Sequence, residues 1–374
     1  MPMNKKIIAI IIIIAVVVAI AFVFTSTKPV ADTIKIGLSE SLTGNASYYG
    51  QSTKKGADLG FDWLKEKYPN IKFEAIHEDN QFDSKLAIDN YNKLKSVDNV
   101  DAVIVHTSPA ALAVEPLAIK DGMLMMAVSV SADKYTTPND LTFRTTAASS
   151  QESIPMVKYI GENFRKVAFL YMNNEIGFNE TESTKKGLLS DTSVNVVFSE
   201  AYPLTTTDYR SYLIKIKQLQ PDAIYVAGLA AHISNVLKQM RDLGITSKVL
   251  TFRTGEDQLL IKNSGQLAEG VIFTSAFDPD SKSNEMLNFI NSFKAKYNGD
   301  IPDTYSAEGF EGVRLVGTAF AKCGKDYVCI KDYLNGLTDY QSVFGQVKID
   351  GSGDISYTYF LKIIKDGKFV KFTN

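Results

Sequence analysis

The residues best suited to contact a ligand are small hydroxyls at two strand-to-helix junctions. The apolar run Ala102–His106 leads into Thr107-Ser108-Pro109, and Leu124–Val128 ends in Ser129-Val130-Ser131. Pro109 marks a first helical turn, and Ser108 is a natural N-cap. Ordinary capping accounts for one such site; two adjacent hydroxyl-rich junctions point to a bound solute. The free N–H groups of a helix start there would favour an anion such as a carboxylate. Covalent chemistry has little support. His106 with Ser108 or Ser131 suggests a hydrolase dyad, but no acid partner or oxyanion motif accompanies them. The chain has no Gly-x-Gly-x-x-Gly after a strand, no P-loop, no Gly-x-Ser-x-Gly and no His-Glu-x-x-His. Its 3 histidines (His77, His106, His232) are scattered, and 2 cysteines are too few for a Cys₄ zinc site. No catalysis, metal or cofactor is expected.

The elements that must position these hydroxyls read as alternating strands and helices. Strand patterns fall at Ile34–Ser39, Lys72–His77, Ala102–His106, Leu124–Val128, Lys166–Tyr171, Val194–Ala201, Ala223–Ala227, Lys248–Phe252 and Val271–Ser275. Several are continuous apolar runs, as expected of parallel strands covered on both faces. Helix patterns lie between them at Gly50–Lys67, Ser84–Lys95, Ser108–Lys120, Gln151–Asn163, Asp208–Gln218 and Ala231–Leu243. This order predicts an α/β fold with one or two doubly wound parallel sheets. In such sheets ligands sit outside the carboxyl ends of the strands, where the hydroxyls are. Ser52-Thr53-Lys54-Lys55-Gly56 recurs as Ser183-Thr184-Lys185-Lys186-Gly187, each copy following a strand and a Gly (Gly50, Gly177). The placement favours two related halves. From Phe344 onward the sequence reads as an antiparallel tail: Phe344–Ile349, Ile355–Ile364 and Phe369–Phe372, closed by Asp-Gly turns.

Composition sets the compartment. With 40 Lys+Arg against 42 Asp+Glu, there is no electrostatic case for nucleic acid. The 374 residues suit two domains. Residues Ile7–Phe24 form 18 consecutive apolar residues preceded by Lys5 and Lys6. As a helix they span about 27 Å, close to the hydrocarbon core of a bilayer. Lys5 and Lys6 keep the N-terminus cytoplasmic and send the rest outward. An uncleaved signal anchor is favoured over a cleaved signal peptide, because the run is long and no clear cleavage site follows it. Both readings place residues 32–374 outside the cytoplasm, where Asn45-Ala46-Ser47 and Asn179-Glu180-Thr181 permit glycosylation. Export also favours a Cys323–Cys329 disulfide. Gly324 would have to end a helix between them, and the bridge would contribute about 2.4 kcal/mol.

Taken in order, several segments resemble the type I periplasmic solute-binding proteins, of the leucine/isoleucine/valine-binding type that serves ABC importers. They are Ile34-Lys35-Ile36-Gly37-Leu38-Ser39 with Leu42-Thr43-Gly44 and Tyr49-Gly50; Val105-His106-Thr107-Ser108 with Ala113-Val114-Glu115-Pro116; Phe143-Arg144-Thr145; Asp208-Tyr209; Gln220-Pro221-Asp222-Ala223-Ile224; and Ala268-Glu269-Gly270-Val271. The resemblance covers about residues 33–372. It implies two α/β lobes joined by three hinge crossovers near residues 146, 276 and 344. Residues 33–146 plus 277–343 would form lobe 1, and 147–276 plus 344–374 lobe 2. Residues 1–24 are then the signal anchor or signal peptide, and 25–32 a linker.

For the site, the resemblance implies that Thr107, Ser108 and Ser131 hold an α-carboxylate, with the Ser129 carbonyl open to an ammonium group. Tyr49 and Tyr305 match aromatic wall positions. The second lobe departs from the pattern: Ile176 and Leu229 stand where aromatics are frequent. Arg253 stands where amino-acid binders place a Glu, with Glu256 three residues on. If Arg253 faces the cleft, it would repel an ammonium and favour an anionic or neutral polar ligand. If the loop shifts, Glu256 or Asp257 takes the Glu role. The function implied is a monomeric extracytoplasmic substrate-binding protein of an ABC importer, capturing an amino acid, amide or small carboxylate. Its partners would be the solute, an ABC permease and, through the N-terminal helix, the membrane. The alternative is the ligand-binding ectodomain of a sensor working through a partner.

Overall fold

The computed structural model describes residues 33–136, 140–191 and 193–373. The apolar N-terminal run and its linker lie outside them. Among the described residues no helix is long and apolar enough to cross a membrane.

Fifteen strands and twelve α-helices follow one another among the described residues. The strands are β1 (Ile34–Glu40), β2 (Phe73–Asp79), β3 (Ala102–His106), β4 (Leu124–Val128), β5 (Thr142–Arg144), β6 (Lys166–Met172), β7 (Asn195–Tyr202), β8 (Ala223–Ala227), β9 (Lys248–Thr251), β10 (Ile272–Ser275), β11 (Tyr340–Ser342), β12 (Gly345–Ile349), β13 (Ile355–Ser356), β14 (Phe360–Lys365) and β15 (Lys368–Lys371). The helices are α1 (Ser47–Lys67), α2 (Ser84–Ser96), α3 (Ser108–Asp121), α4 (Ser149–Glu152), α5 (Ile154–Asn163), α6 (Glu175–Asp191), α7 (Arg210–Leu219), α8 (Ala230–Asp242), α9 (Gln258–Ser264), α10 (Asn284–Lys296), α11 (Thr304–Cys323) and α12 (Tyr327–Asn335).

Two sheets define two lobes. The first has order β2-β1-β3-β4-β5, with every pairing parallel. The second has order β15-β14-β10-β9-β8-β6-β7, parallel from β10 to β7 and antiparallel at β14 and β15. This is the two-sheet α/β architecture expected. Strands β3, β4 and β8 are buried along their whole length, as strands covered on both faces must be.

The repeated pentapeptides occupy equivalent places. A Cβ on Gly50 would meet the Ser41 carbonyl at 2.1 Å, and one on Gly177 would meet the Met172 carbonyl at 2.2 Å, so each helix start sits on the end of its preceding strand. Gly56 lets α1 approach α11, where a Cβ would lie 1.8 Å from the Ser306 carbonyl. Helix α11 is buried along nearly its whole length. No one-sided apolar stripe therefore announces it in the sequence. It ends at Gly324 (φ +59°), and Cys323 and Cys329 form the disulfide with Cα atoms 5.6 Å apart.

The tail is divided where the sequence reads as continuous. Ile355–Ile364 is two strands: β13 pairs with β12, whereas β14 pairs with β10 of the second lobe. The expectation that the chain returns to the second lobe near residue 344 is therefore corrected. Val347, Ile349 and Ile355 are packed in the first-lobe core with Ile34, Ile104 and Val316. Arg144 of β5 is fully buried and meets Asp354 at 2.7 Å, which fastens the 350–354 turn to the first sheet. The last crossing falls instead at Tyr357–Tyr359.

Candidate functional site

Both hydroxyl junctions of the first lobe have unusual backbones. Thr107 has φ +81° and Ser129 has φ +58°, in a region that residues other than Gly rarely occupy. Helix α3 starts at Ser108 with Thr107 in the cap position, one residue earlier than expected, and no side chain caps it. The Thr107 Oγ1 and Ser108 Oγ atoms are buried without a hydrogen-bond partner. Capping thus does not explain these hydroxyls. Both nitrogens of the adjacent buried His106 are likewise without a partner, so it forms no dyad with Ser108 or Ser131. Burial, reinforced by the Arg253 charge, pushes His106 down to about 3 and keeps it neutral.

The lobes meet in a closed arrangement. The Tyr49 hydroxyl accepts from the Ala230 N–H at 3.1 Å, and the Tyr305 hydroxyl donates to the Arg253 carbonyl at 3.4 Å. The two tyrosine rings lie edge to face with centroids 4.8 Å apart, packed in the core cluster of the opposite lobe. Ile176 and Leu229 are buried in that same cluster.

Arg253 does lie between the lobes, but it is already paired. Its Nη1 donates to Glu308 Oε1 at 2.9 Å, and its backbone N–H donates to Glu152 Oε1 at 3.1 Å. Burial opposes the arginine's charge, yet Glu308 and Glu152 outweigh that and hold its pKa above the ordinary value. Glu308 accepts from Ser129 Oγ and, at 2.8 Å, from Thr146 Oγ1. Glu180 of α6 accepts from Ser131 Oγ at 2.6 Å and Ser149 Oγ at 2.8 Å. Burial, with the nearby Glu152 charge, pushes Glu180 up to about 8. Glu256 is engaged with Lys362 and Ser275, and Asp257 caps α9 at the Leu259 N–H, 2.7 Å away.

The structure thus brings Tyr49, Ser131, Arg253 and Tyr305 into bonds across the lobes, with Ser129 tied to Glu308 beside Arg253, and with Thr107 and Ser108 at the neighbouring end of β3. Ile176 and Leu229 stand behind them. Sequence reasoning missed Glu152, Glu180 and Glu308. Each sits on a helix that reads as ordinary amphipathic or buried sequence, and only the folding of both lobes brings their carboxylates together. Glu180 and Thr181 of the second glycosylation triplet are fully buried, whereas Asn179 is half-buried.

A periplasmic binding protein family model matches residues 33–367. The chain belongs to that family. Members of this family bind solutes and do not catalyse reactions, and the relatives extend the same description. The chain is 24% identical over 349 residues to Leu/Ile/Val-binding protein homolog 2 of Brucella abortus, covering 90% of this chain and 92% of that one. It is 24% identical over 344 residues to a leucine-, isoleucine-, valine-, threonine- and alanine-binding protein of Pseudomonas aeruginosa, covering 89% and 90%. Its fold matches the substrate-binding protein LivJ of a Streptococcus pneumoniae branched-chain amino acid transporter, solved with isoleucine. The TM-score is 0.83 at 25% identity, covering 90% of this chain and 98% of that one. A solute-binding protein of an R. palustris ABC transporter, solved with benzoate, matches in fold with a TM-score of 0.82 at 19% identity, covering 91% and 95%. This binding protein is therefore a type I, leucine/isoleucine/valine-binding-like member, and its homologues work outside the cytoplasm.

Proposed function

We propose that this chain is the substrate-binding protein of an ABC importer and captures an amino acid between its lobes. The observation that carries this reading is the pair of buried, unpartnered hydroxyls of Thr107 and Ser108 at the start of α3, inside a closed inter-lobe contact. Two neutral donors beside free helix N–H groups suit a carboxylate. A solute touching both lobes stabilises the closed form, because only that form supplies both sets of contacts. In this reading Ile7–Phe24 tethers a monomer to the outer face of the cell membrane, and closure presents the loaded protein to a permease.

The test is a thermal-shift and calorimetric screen of the full chain against the twenty common L-amino acids and benzoate. A ligand present at one hundred times its Kd stabilises by about 2.7 kcal/mol, a clear rise in Tm. If no amino acid raises Tm, amino-acid capture is wrong.

A further inference from the structure

We propose that Glu180 of α6, backed by Glu152, is the carboxylate that receives the ligand's amine, so that the cleft selects α-amino acids over simple carboxylates. This rests on the solute-capture reading above and names the group that decides its specificity. The loop after β9, where the sequence resemblance would place an amine partner, holds Arg253 in this chain. That loop offers none here: Arg253 is cationic, and Glu256 and Asp257 are engaged elsewhere.

Carboxylate oxygens remain available on the second-lobe side. Glu180 Oε1 is held by Ser131 and Ser149, but its Oε2 is buried with no partner. Glu152 Oε1 accepts from the Arg253 N–H and from Thr274 Oγ1, while its Oε2 is also without a partner and 3.9 Å from Arg253 Nε. Thr181 Oγ1, next in sequence to Glu180, is buried and unpartnered too. Three carboxylates thus surround one arginine that is hydrogen-bonded to Glu308. A fourth carboxylate alone would add repulsion in a low-dielectric space, whereas an ammonium supplies the missing positive charge. Ser131 lies two residues after Ser129 at the end of β4, so its bond to Glu180 ties that second-lobe carboxylate to the first lobe.

The groups facing Glu180 are Glu152 from α4, Arg253 from the turn after β9, Tyr225 from β8, and the hydroxyls of Ser131 and Ser149. Burial keeps Glu180 largely protonated at neutral pH in the empty site. Docking an ammonium then requires Glu180 to lose its proton to solvent: Glu180–COOH and ligand –NH₃⁺ become a carboxylate–ammonium pair plus one released proton.

The test compares, on the full chain, the tightest-binding common L-amino acid with the 2-hydroxy acid of the same side chain. Calorimetry at pH 7 in phosphate and in Tris counts protons released. The amino acid should bind at least about 30-fold more tightly than the hydroxy acid and release close to one proton, and E180Q should weaken it by a similar factor. The comparison of ligands and buffers uses the unaltered protein, so it stands even if E180Q misfolds. Equal affinity for amino and hydroxy acid overturns the role of Glu180 while leaving solute capture intact. Failure of every amino acid, its hydroxy analogue and benzoate to bind overturns both.

Discussion

The two walls of the inter-lobe contact are built from different chemistry. The first-lobe wall presents small neutral hydroxyls on strained junctions, two of them making no bond within the protein, and a single carboxylate, Glu308, already taken by Arg253. The second-lobe wall is charged, with Arg253, Glu152 and Glu180 tied to each other or to the opposite lobe. A wall of unpartnered hydroxyls contributes little to the folded chain until a ligand arrives. A wall of buried charges contributes to both folding and closure, because each charge needs its partner. Changes in the first wall should therefore alter binding alone, and changes in the second should alter stability as well.

The largest expected effect is on the second wall. R253L leaves Glu308 and Glu152 buried without a counter-charge, which should cost about 3–5 kcal/mol and lower Tm by roughly 4–7 °C. A loss below about 1 kcal/mol by denaturant titration would erase the distinction between the walls. Next comes the first wall. S108A should leave the unliganded Tm unchanged while weakening the preferred amino acid about 10-fold, the worth of one hydrogen bond to a charged group. A drop in unliganded stability would mean Ser108 has a structural role after all. Smaller again is the contact that latches the walls together. Y49F removes the acceptor of the Ala230 N–H and should weaken binding about 5-fold by disfavouring closure, visible as a less compact liganded state in small-angle scattering.

A region away from the walls serves as the control. His77 of β2 lies 2.6 Å from Glu40 and 3.1 Å from Asp58. Burial alone would lower its pKa, but hydrogen bonds donated to Asp58 and Glu40 outweigh it and hold the imidazole at about 9. A raised histidine pKa stabilises fully below its ordinary value near 6.5, and that contribution fades as pH rises through about 9. Stability should thus decline between pH 7 and 9.5, and H77Q should flatten the decline without changing amino-acid affinity at pH 7. A change in affinity there would tie this cluster to the cleft.

Much of the fold was legible because parallel strands are short apolar runs between helices; β3, β4 and β8 match their sequence readings residue for residue. The disulfide was legible too, since Gly324 has to end α11 for Cys323 and Cys329 to meet. The return crossing was not. Nothing local distinguishes Tyr357–Tyr359 from the strands around it, and the break arises because β13 and β14 answer to different sheets.

By itself the sequence determined the order of elements, the family and the hydroxyl-rich junctions, because strand burial, helix starts and glycine contacts depend on near neighbours. Only the tertiary structure decided the charge of the site. Arg253 alone reads as an anion anchor. Glu152 is 101 positions away in sequence and is set against the arginine by the folding of the second lobe, while Glu308, 55 positions away, is brought to it from the first lobe by closure, and together they turn the surroundings acidic. Electrostatic character follows distance in space, which no local pattern of residue types records.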